Sequence, residues 1–570
     1  MSTPPSAAVE EHTADGGSRR ASLPARVVTA FRRDPIFSTV ALALAALVAL
    51  FILWPILAVL GASLRVDGVF GLDNYATFVG SEYYRASLRN SLIIGVGSTT
   101  FSVLASLPLA LYVTRHRGPL ASAMRGISLL PLVAPPFLFG LALLMLGGRR
   151  GLLSEVINLL PGVEQFSIYG LHGVVVAQAL GFLPVAYMLI ENSLRSIDPA
   201  LEQASRDLGA SQLRSLVTIV LPLARTGIVR AVLVVFVLVL ADFSNPMLVG
   251  GGAPTLAVDA LLLITGQQDL EMAAVVGVVL VVPSIIVFAI QRRLLANSDD
   301  GALGNAAGTA APPLLPAIKA VVLGCALVVS SVIVTLFGFV VLGAFVRSLG
   351  VNHEFTLEHF QFGRGWGYIQ LSLVVSLLAA LIAGLLGVLQ GYVLARKPVP
   401  AKGFQEFASL FGLAVPGTVM GIGYVLTFHD GPVQLTGTVA ILVINMAFRN
   451  VGVAMSASLS RLAQMDVSLE EASADSGAGP GRTFGRVVAP LLSPSFMAGF
   501  VYTFMTTMVT ISSVIFLVAP GTNLAAVYIL SLADTAAYGR ASALAFMLIV
   551  IVAVSLTFLR WLERKAQLAS

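Results

Sequence analysis

Two stretches of this chain carry the same kinds of polar and small residues at the same spacing. Leu201–Pro222 reads LEQASRDLGASQLRSLVTIVLP, and Leu469–Pro490 reads LEEASADSGAGPGRTFGRVVAP. Acidic or amide side chains open each segment (Glu202 and Gln203; Glu470 and Glu471), and a small residue follows (Ala204; Ala472). A glycine comes next (Gly209; Gly477), with Ile219 or Val487 ten positions later and Pro222 or Pro490 three beyond that. The chemistry these residue types support is mechanical. Carboxylates suit a helix N-terminus, and glycine permits the φ > 0 turn that folds a second helix back on the first. Small side chains let the first helix lie close against a partner, and proline is expected to end the second helix. Pro222 and Pro490 lie 268 positions apart in a chain of 570 residues, the signature of a fused duplication.

A second constellation is Asp242, Ser244 and Asn245, at the end of a long apolar run. Asp242 falls about 15 residues beyond Gly227, roughly 22 Å along a helix, inside a bilayer core about 30 Å thick. A carboxylate at that depth lines a pathway, caps a helix end, or pairs with a buried base such as Arg449. Shifted by 268, the second half offers Thr510, Ser512 and Ser513 at the same depth. A passage flanked by these six residues would be polar and mildly acidic, suited to a cation or a small polar solute. Metal chemistry has no clear address: the 6 histidines are scattered, with no Cys/His cluster at ligand spacing. The 1 cysteine, Cys325, lies in an apolar run and reads as a packing residue. No lysine stands in the Gly-x-x-x-x-Gly-Lys-Ser/Thr context that cradles a phosphate.

The elements that position these residues are membrane spans. Hydrophobic residues make up 57% of the chain and charged residues 11%, with a mean hydropathy of +0.90. That composition excludes a soluble domain, and the net charge of +5 is spread by membrane side rather than gathered into a nucleic-acid patch. Twelve spans are predicted, near 36–64, 92–114, 127–148, 173–194, 227–250 and 271–291, then 317–346, 369–395, 405–428, 437–460, 494–519 and 541–560. Lys and Arg concentrate on the side holding both termini, which predicts that both are cytoplasmic along with the two repeated segments. The chain divides into a polar disordered tail at 1–34, a first repeat at 35–295 with its loop at 201–222, a linker at 296–315, and a second repeat at 316–570 with its loop at 469–490. Tyr112 before Arg115 matches Tyr392 before Arg396, and Pro135 matches Pro416. Six spans per half imply two repeats running parallel in the membrane, an all-α architecture.

The paired segments resemble the EAA loop of binding-protein-dependent ABC import permeases of the Type I fold, whose usual form is Glu-Ala-Ala, Gly, then Ile-x-Leu-Pro. Here Gln203 replaces the Glu of the first copy, Ser205 and Ser473 replace the second alanines, and Val487 and Ala489 replace Ile and Leu. The resemblance implies a permease that binds no cofactor itself. ATP and Mg would sit on a homodimeric ATPase docked on the two loops. A periplasmic or lipid-anchored binding protein would deliver the solute, lipid would surround the chain in a bacterial inner membrane, and no nucleic acid is implied. ADFSNPMLVGG, ISSVIFLVAPGT, LPLVAPPFLFGLAL and AVPGTVMGIGYVL are similar to fused ferric iron permeases. Their relatives serve 2-aminoethylphosphonate, polyamines and other small polar solutes. The competing class, a gradient-driven secondary transporter, would use intramembrane carboxylates as proton relays, for which Asp242 and Glu191 are the candidates.

Overall fold

A computed structural model describes residues 35–148, 167–296, 312–397, 402–429 and 433–569. The tail at 1–34 and most of the linker lie outside the described residues. The helices of the first half include α1 (Pro35–Val48), α2 (Trp54–Ser63), α3 (Glu82–Arg115), α4 (Pro119–Leu129), α5 (Leu138–Gly147), α6 (Leu171–Arg195), α7 (Pro199–Asp207), α8 (Gln212–Ser215), α9 (Leu221–Ala241), α10 (Ser244–Val249) and α11 (Leu270–Ala296). The second half follows with α12 (Pro316–Phe345), α13 (Gly365–Arg396), α14 (Lys402–Ala414), α15 (Gly417–Phe428), α16 (Val439–Ala463), α17 (Ser468–Asp475), α18 (Pro480–Thr483), α19 (Ser493–Val509) and α20 (Tyr538–Ala569).

Among the described residues, nine helices are long and apolar enough to cross a membrane, and the number reaches twelve only if three bent pairs each count as one span. The expected spans at 127–148 and 405–428 are two of these pairs, bent by 99° and 109°. Proline sets both bends. Ala134, before Pro135, is held in an extended conformation, and Pro416 is itself extended at ψ 136 before α15 begins. The fifth and eleventh spans are shorter at their C-terminal ends than the sequence suggests. Helix α9 stops at Ala241 and α19 at Val509, because Asp242 and Thr510 turn extended at equivalent positions.

Close approach of small residues builds the interior, as expected where lipid removes most of the hydrophobic drive between helices. Gly387 on α13 faces Ala454 on α16 so closely that a Cβ would come within 2.6 Å of the alanine methyl. The first helices of the two halves are exchanged. Helix α2 lies against α15 of the other half, where the Tyr424 hydroxyl donates to the Phe51 carbonyl at 2.7 Å. Helix α12 in turn lies against α3 and α5, with Phe139 edge-on to Phe337. Cys325 on α12 is exposed, so it does not pack in the interior as its apolar context suggested.

Candidate coupling loops and interior polar sites

The two repeated segments fold alike in detail. Asp198 caps α7 by accepting from the Ala200 N–H at 2.9 Å, and Asp466 receives the Ser468 N–H at 3.0 Å before α17. Gly209 and Gly477 take φ of +90° and +79°, the left-handed turn that reverses the chain. Behind each glycine, Ala210 and Ala478 donate to the carbonyls of Ser205 and Ser473, both at 3.1 Å. The serines that depart from the usual motif have a structural use. Ser205 Oγ lies 3.0 Å from Ser215 Oγ, and Ser473 Oγ lies 3.0 Å from Thr483 Oγ1, so each ties the first short helix to the second.

Each loop is also bolted to the end of a membrane span. Arg115, the last residue of α3, donates to both carboxylate oxygens of Glu202 at 2.7 and 3.0 Å. Arg396, the last of α13, donates to Glu470 at 2.8 Å and to the carbonyls of Leu462 and Met465. Tyr392 adds its hydroxyl to Glu470 at 3.2 Å. Sequence reasoning missed these pairs, although Arg115 and Arg396 recur as landmarks of the duplication and Glu202 and Glu470 recur as its acids.

Two expectations need correction. Pro222 does not end its helix: α8, a π-helical turn at Leu216–Val220 and α9 form one run from Gln212 to Ala241, with Pro222 in the first turn of α9. The π-helical turn before it, in which the Leu221 N–H reaches back to the Leu216 carbonyl, interrupts the regular i→i−4 ladder just where Pro222 brings no N–H. Pro490 also occupies a first turn, and the chain bends by 65° just beyond it, at Leu492 before Pro494. The 296–315 linker is also more than a tether at its end. Gln212 of the first loop donates to the Pro313 carbonyl and accepts from the Leu315 N–H, while Arg115 reaches the Pro312 carbonyl.

Glu202 is buried, whereas Gln203, Ala204, Gly209, Pro222, Glu471, Ala472, Gly477 and Pro490 are exposed. Ile219, Val487 and Glu470 are half-buried. Between the exposed positions of the first loop stand Leu208, 90% exposed, Leu213 and Val217, an apolar patch on a polar surface.

The interior candidates divide. Asp242 is a knot of hydrogen bonds: one oxygen accepts from Gln178 at 2.9 Å and Asn245 at 2.7 Å, the other from the Ser244 N–H and hydroxyl. Gln178 in turn receives the Ser98 hydroxyl. The carboxylate caps the break between α9 and α10, and among the described residues it forms no ion pair with Arg449. In the second half, Ser512 instead meets Arg449 at 3.5 Å, while Thr510 is half-buried and Ser513 buried. No hydrogen bond joins the two sets among the described residues. Asp242 thus accepts from four donors, none of them charged, while the second half places the guanidinium of Arg449 near Ser512. Glu191 does not suit a proton relay, since Arg195 and Arg125 hold it at 2.7 and 3.3 Å near the end of α6.

Residues 102–297 match the family described as binding-protein-dependent transport system inner membrane component, and residues 383–568 match it again. The chain belongs to that family. It is a fused permease of an ABC importer, with two copies of the family's unit in one polypeptide. This permease is 32% identical to the ferric transport system permease protein FbpB of Actinobacillus pleuropneumoniae over 534 residues, covering 90% of this chain and 77% of that one. A molybdenum transport system permease protein, ModB of Azotobacter vinelandii, is 29% identical over 175 residues, covering 30% of this chain and 76% of its own. Among solved structures, a bacterial ABC transporter involved in alginate import aligns at 18% identity and a TM-score of 0.40, covering 48% of this permease and 100% of that chain.

Proposed function

We propose that this permease imports ferric iron, driven by a separate homodimeric ATPase that docks on the loops at 201–222 and 469–490 and supplied by a substrate-binding protein on the outer face. The observation that carries the docking assignment is the matched build of the two loops. Each has a left-handed glycine, a hydroxyl pair tying its two helices, and an Arg–Glu pair fixing it to the end of a membrane span. The exposed apolar patch around Leu208 suits a protein partner.

Coupling follows from that build. A partner that changes shape on binding and hydrolysing ATP moves both loops, and the ion pairs pass the movement into α3 and α13. Glu202, Gln203, Ala204, Gly209, Ile219 and Pro222 act in one lever, and Glu470, Glu471, Ala472, Gly477, Val487 and Pro490 in the other. The lever works only if the loops bind two states of the ATPase unequally, typically by about 1–3 kcal/mol. In this orientation both termini are cytoplasmic.

The iron assignment rests on the similarity to the ferric permease across 90% of the chain. Uptake of radiolabelled ferric iron tests it, in iron-starved cells lacking other iron importers, with and without this gene. Uptake that disappears with the gene and returns on complementation is the expected result. Unchanged uptake sinks the iron assignment and moves the cargo to a phosphonate, a polyamine or another small polar solute.

A further inference from the structure

Arg449 lies about 10 residues, or roughly 15 Å, into α16, at a depth where a charge requires a partner or a cavity. Its one hydrogen bond among the described residues is the long contact to Ser512, and no carboxylate there pairs with it. The guanidinium rests on the first residue of α15. A Cβ on Gly417 would fall 2.7 Å from Arg449 Nη1 and closer still to Ser512 Oγ, so only glycine admits both groups.

This arrangement sets two positive ends together. The first N–H groups of α15 have no intrahelical acceptor, and they carry the partial positive charge of a helix N-terminus. Beside them, several buried polar groups stand without partners: Thr418 Oγ1 in the first turn of α15, Ser513 Oγ, and both side-chain atoms of Asn445. Asn445 is one turn from Arg449 on the same face of α16 and is fully buried. A buried polar group without a partner loses its hydration and gains nothing in exchange. A small anion would accept from the guanidinium, the helix N–H groups, the hydroxyls and the amide together.

The pseudo-equivalent place in the first half has the opposite character. Gly181 stands where the repeat puts Arg449, and Asp242 stands where it puts Thr510. There the charge is negative and its own neighbours satisfy it; in the second half it is positive and has no counter-ion among the described residues.

We propose that Arg449, the start of α15, Ser512 and Asn445 together make an oxyanion site, which takes a carboxylate or phosphate-like group of the cargo. This deepens the transport reading and rests on it. A bare trivalent cation would be repelled here, so iron would pass as an anionic complex with its ligand oxygens toward Arg449.

The test uses the full-length chain in uncharged detergent, titrated with phosphate or citrate against chloride at matched ionic strength while thermal unfolding is followed. Phosphate or citrate should stabilise the wild type saturably. Arg449→Gln should raise the half-saturating concentration by roughly tenfold or more, Arg449→Lys by less, and Asn445→Ala by a few-fold. Identical responses of wild type and Arg449→Gln to both anions overturn the site. Should Arg449→Gln fail to fold, Asn445→Ala and Ser512→Ala decide it by the same comparison. Anion binding with no iron uptake supports the site and sinks only the iron assignment. Iron uptake intact in Arg449→Gln, with no anion response in the wild type, sinks only the site.

Discussion

Arg115 holds Glu202 by two hydrogen bonds, with the side chains only 4% and 3% exposed, whereas the equivalent pair, Arg396 with Glu470, is 16% exposed on each side. The same device thus joins each loop to its span, but one copy is sealed and the other partly wet. Removing one partner of a buried pair strands the other charge and costs about 3–5 kcal/mol. Glu202→Ala should therefore lower the thermal midpoint of the purified permease clearly more than Glu470→Ala. Arg115→Ala combined with Glu202→Ala should cost less than the sum of the single changes. Equal midpoints for the two single Glu variants would refute the difference in burial as the cause.

Gly209 and Gly477 have nothing within 4 Å of a built Cβ, so any cost of a side chain there is backbone strain alone. Alanine at either position should cost on the order of 1–2 kcal/mol locally and slow transport without abolishing it. Gly209→Pro combined with Gly477→Pro should abolish uptake while the protein still inserts, as checked by membrane fractionation beside the uptake assay. Retained uptake, with the protein confirmed in the membrane, would remove the lever assignment.

Asp242 accepts four hydrogen bonds, and Asp242→Ala would leave Gln178, Asn245 and Ser244 with unused donors. The expected loss is about 1–3 kcal/mol for each group stranded without water. Asp242→Asn should also destabilise, because an amide N–H would face the N–H groups of Gln178 or Asn245. Both variants should unfold at lower temperature with no change in which solutes compete for uptake. An unchanged midpoint with an altered cargo range would instead place Asp242 in the pathway.

Asp466 lies on the polar surface before α17, and the N–H and hydroxyl of Ser468 hold its carboxyl below the usual carboxylate range. A depressed folded pKa means that the cap stabilises above the unfolded value of about 4, and is lost as pH falls through the lower folded value. Amide exchange in α17, corrected for intrinsic rates, should accelerate over that acid range in the wild type. Asp466→Ala should exchange faster at neutral pH and lose the acid step. A wild-type profile that is flat from neutral pH down to about 2 would contradict the cap.

Membrane class, duplication and the two repeated loops are all legible in the linear pattern of residues. Composition forces membrane spans, and a motif copied at 268 positions keeps its glycine, its caps and its prolines in register because local backbone geometry depends on neighbours in the chain. Hence the left-handed turns at Gly209 and Gly477 follow from residue type and spacing. Contacts between residues far apart in the chain emerge only on folding. The grip of Arg115 on Glu202 spans 87 positions, and Gln178 reaches Asp242 across 64. Periodicity and spacing carry no information about which remote partner will satisfy a buried charge. Asp242 and Arg449 show the consequence, since in the sequence each is an isolated charge in an apolar run. Three of the carboxylate's four donors come from Ser244 and Asn245, two and three positions along the chain; only the packing of the helices adds Gln178 and leaves the guanidinium without an acid among the described residues.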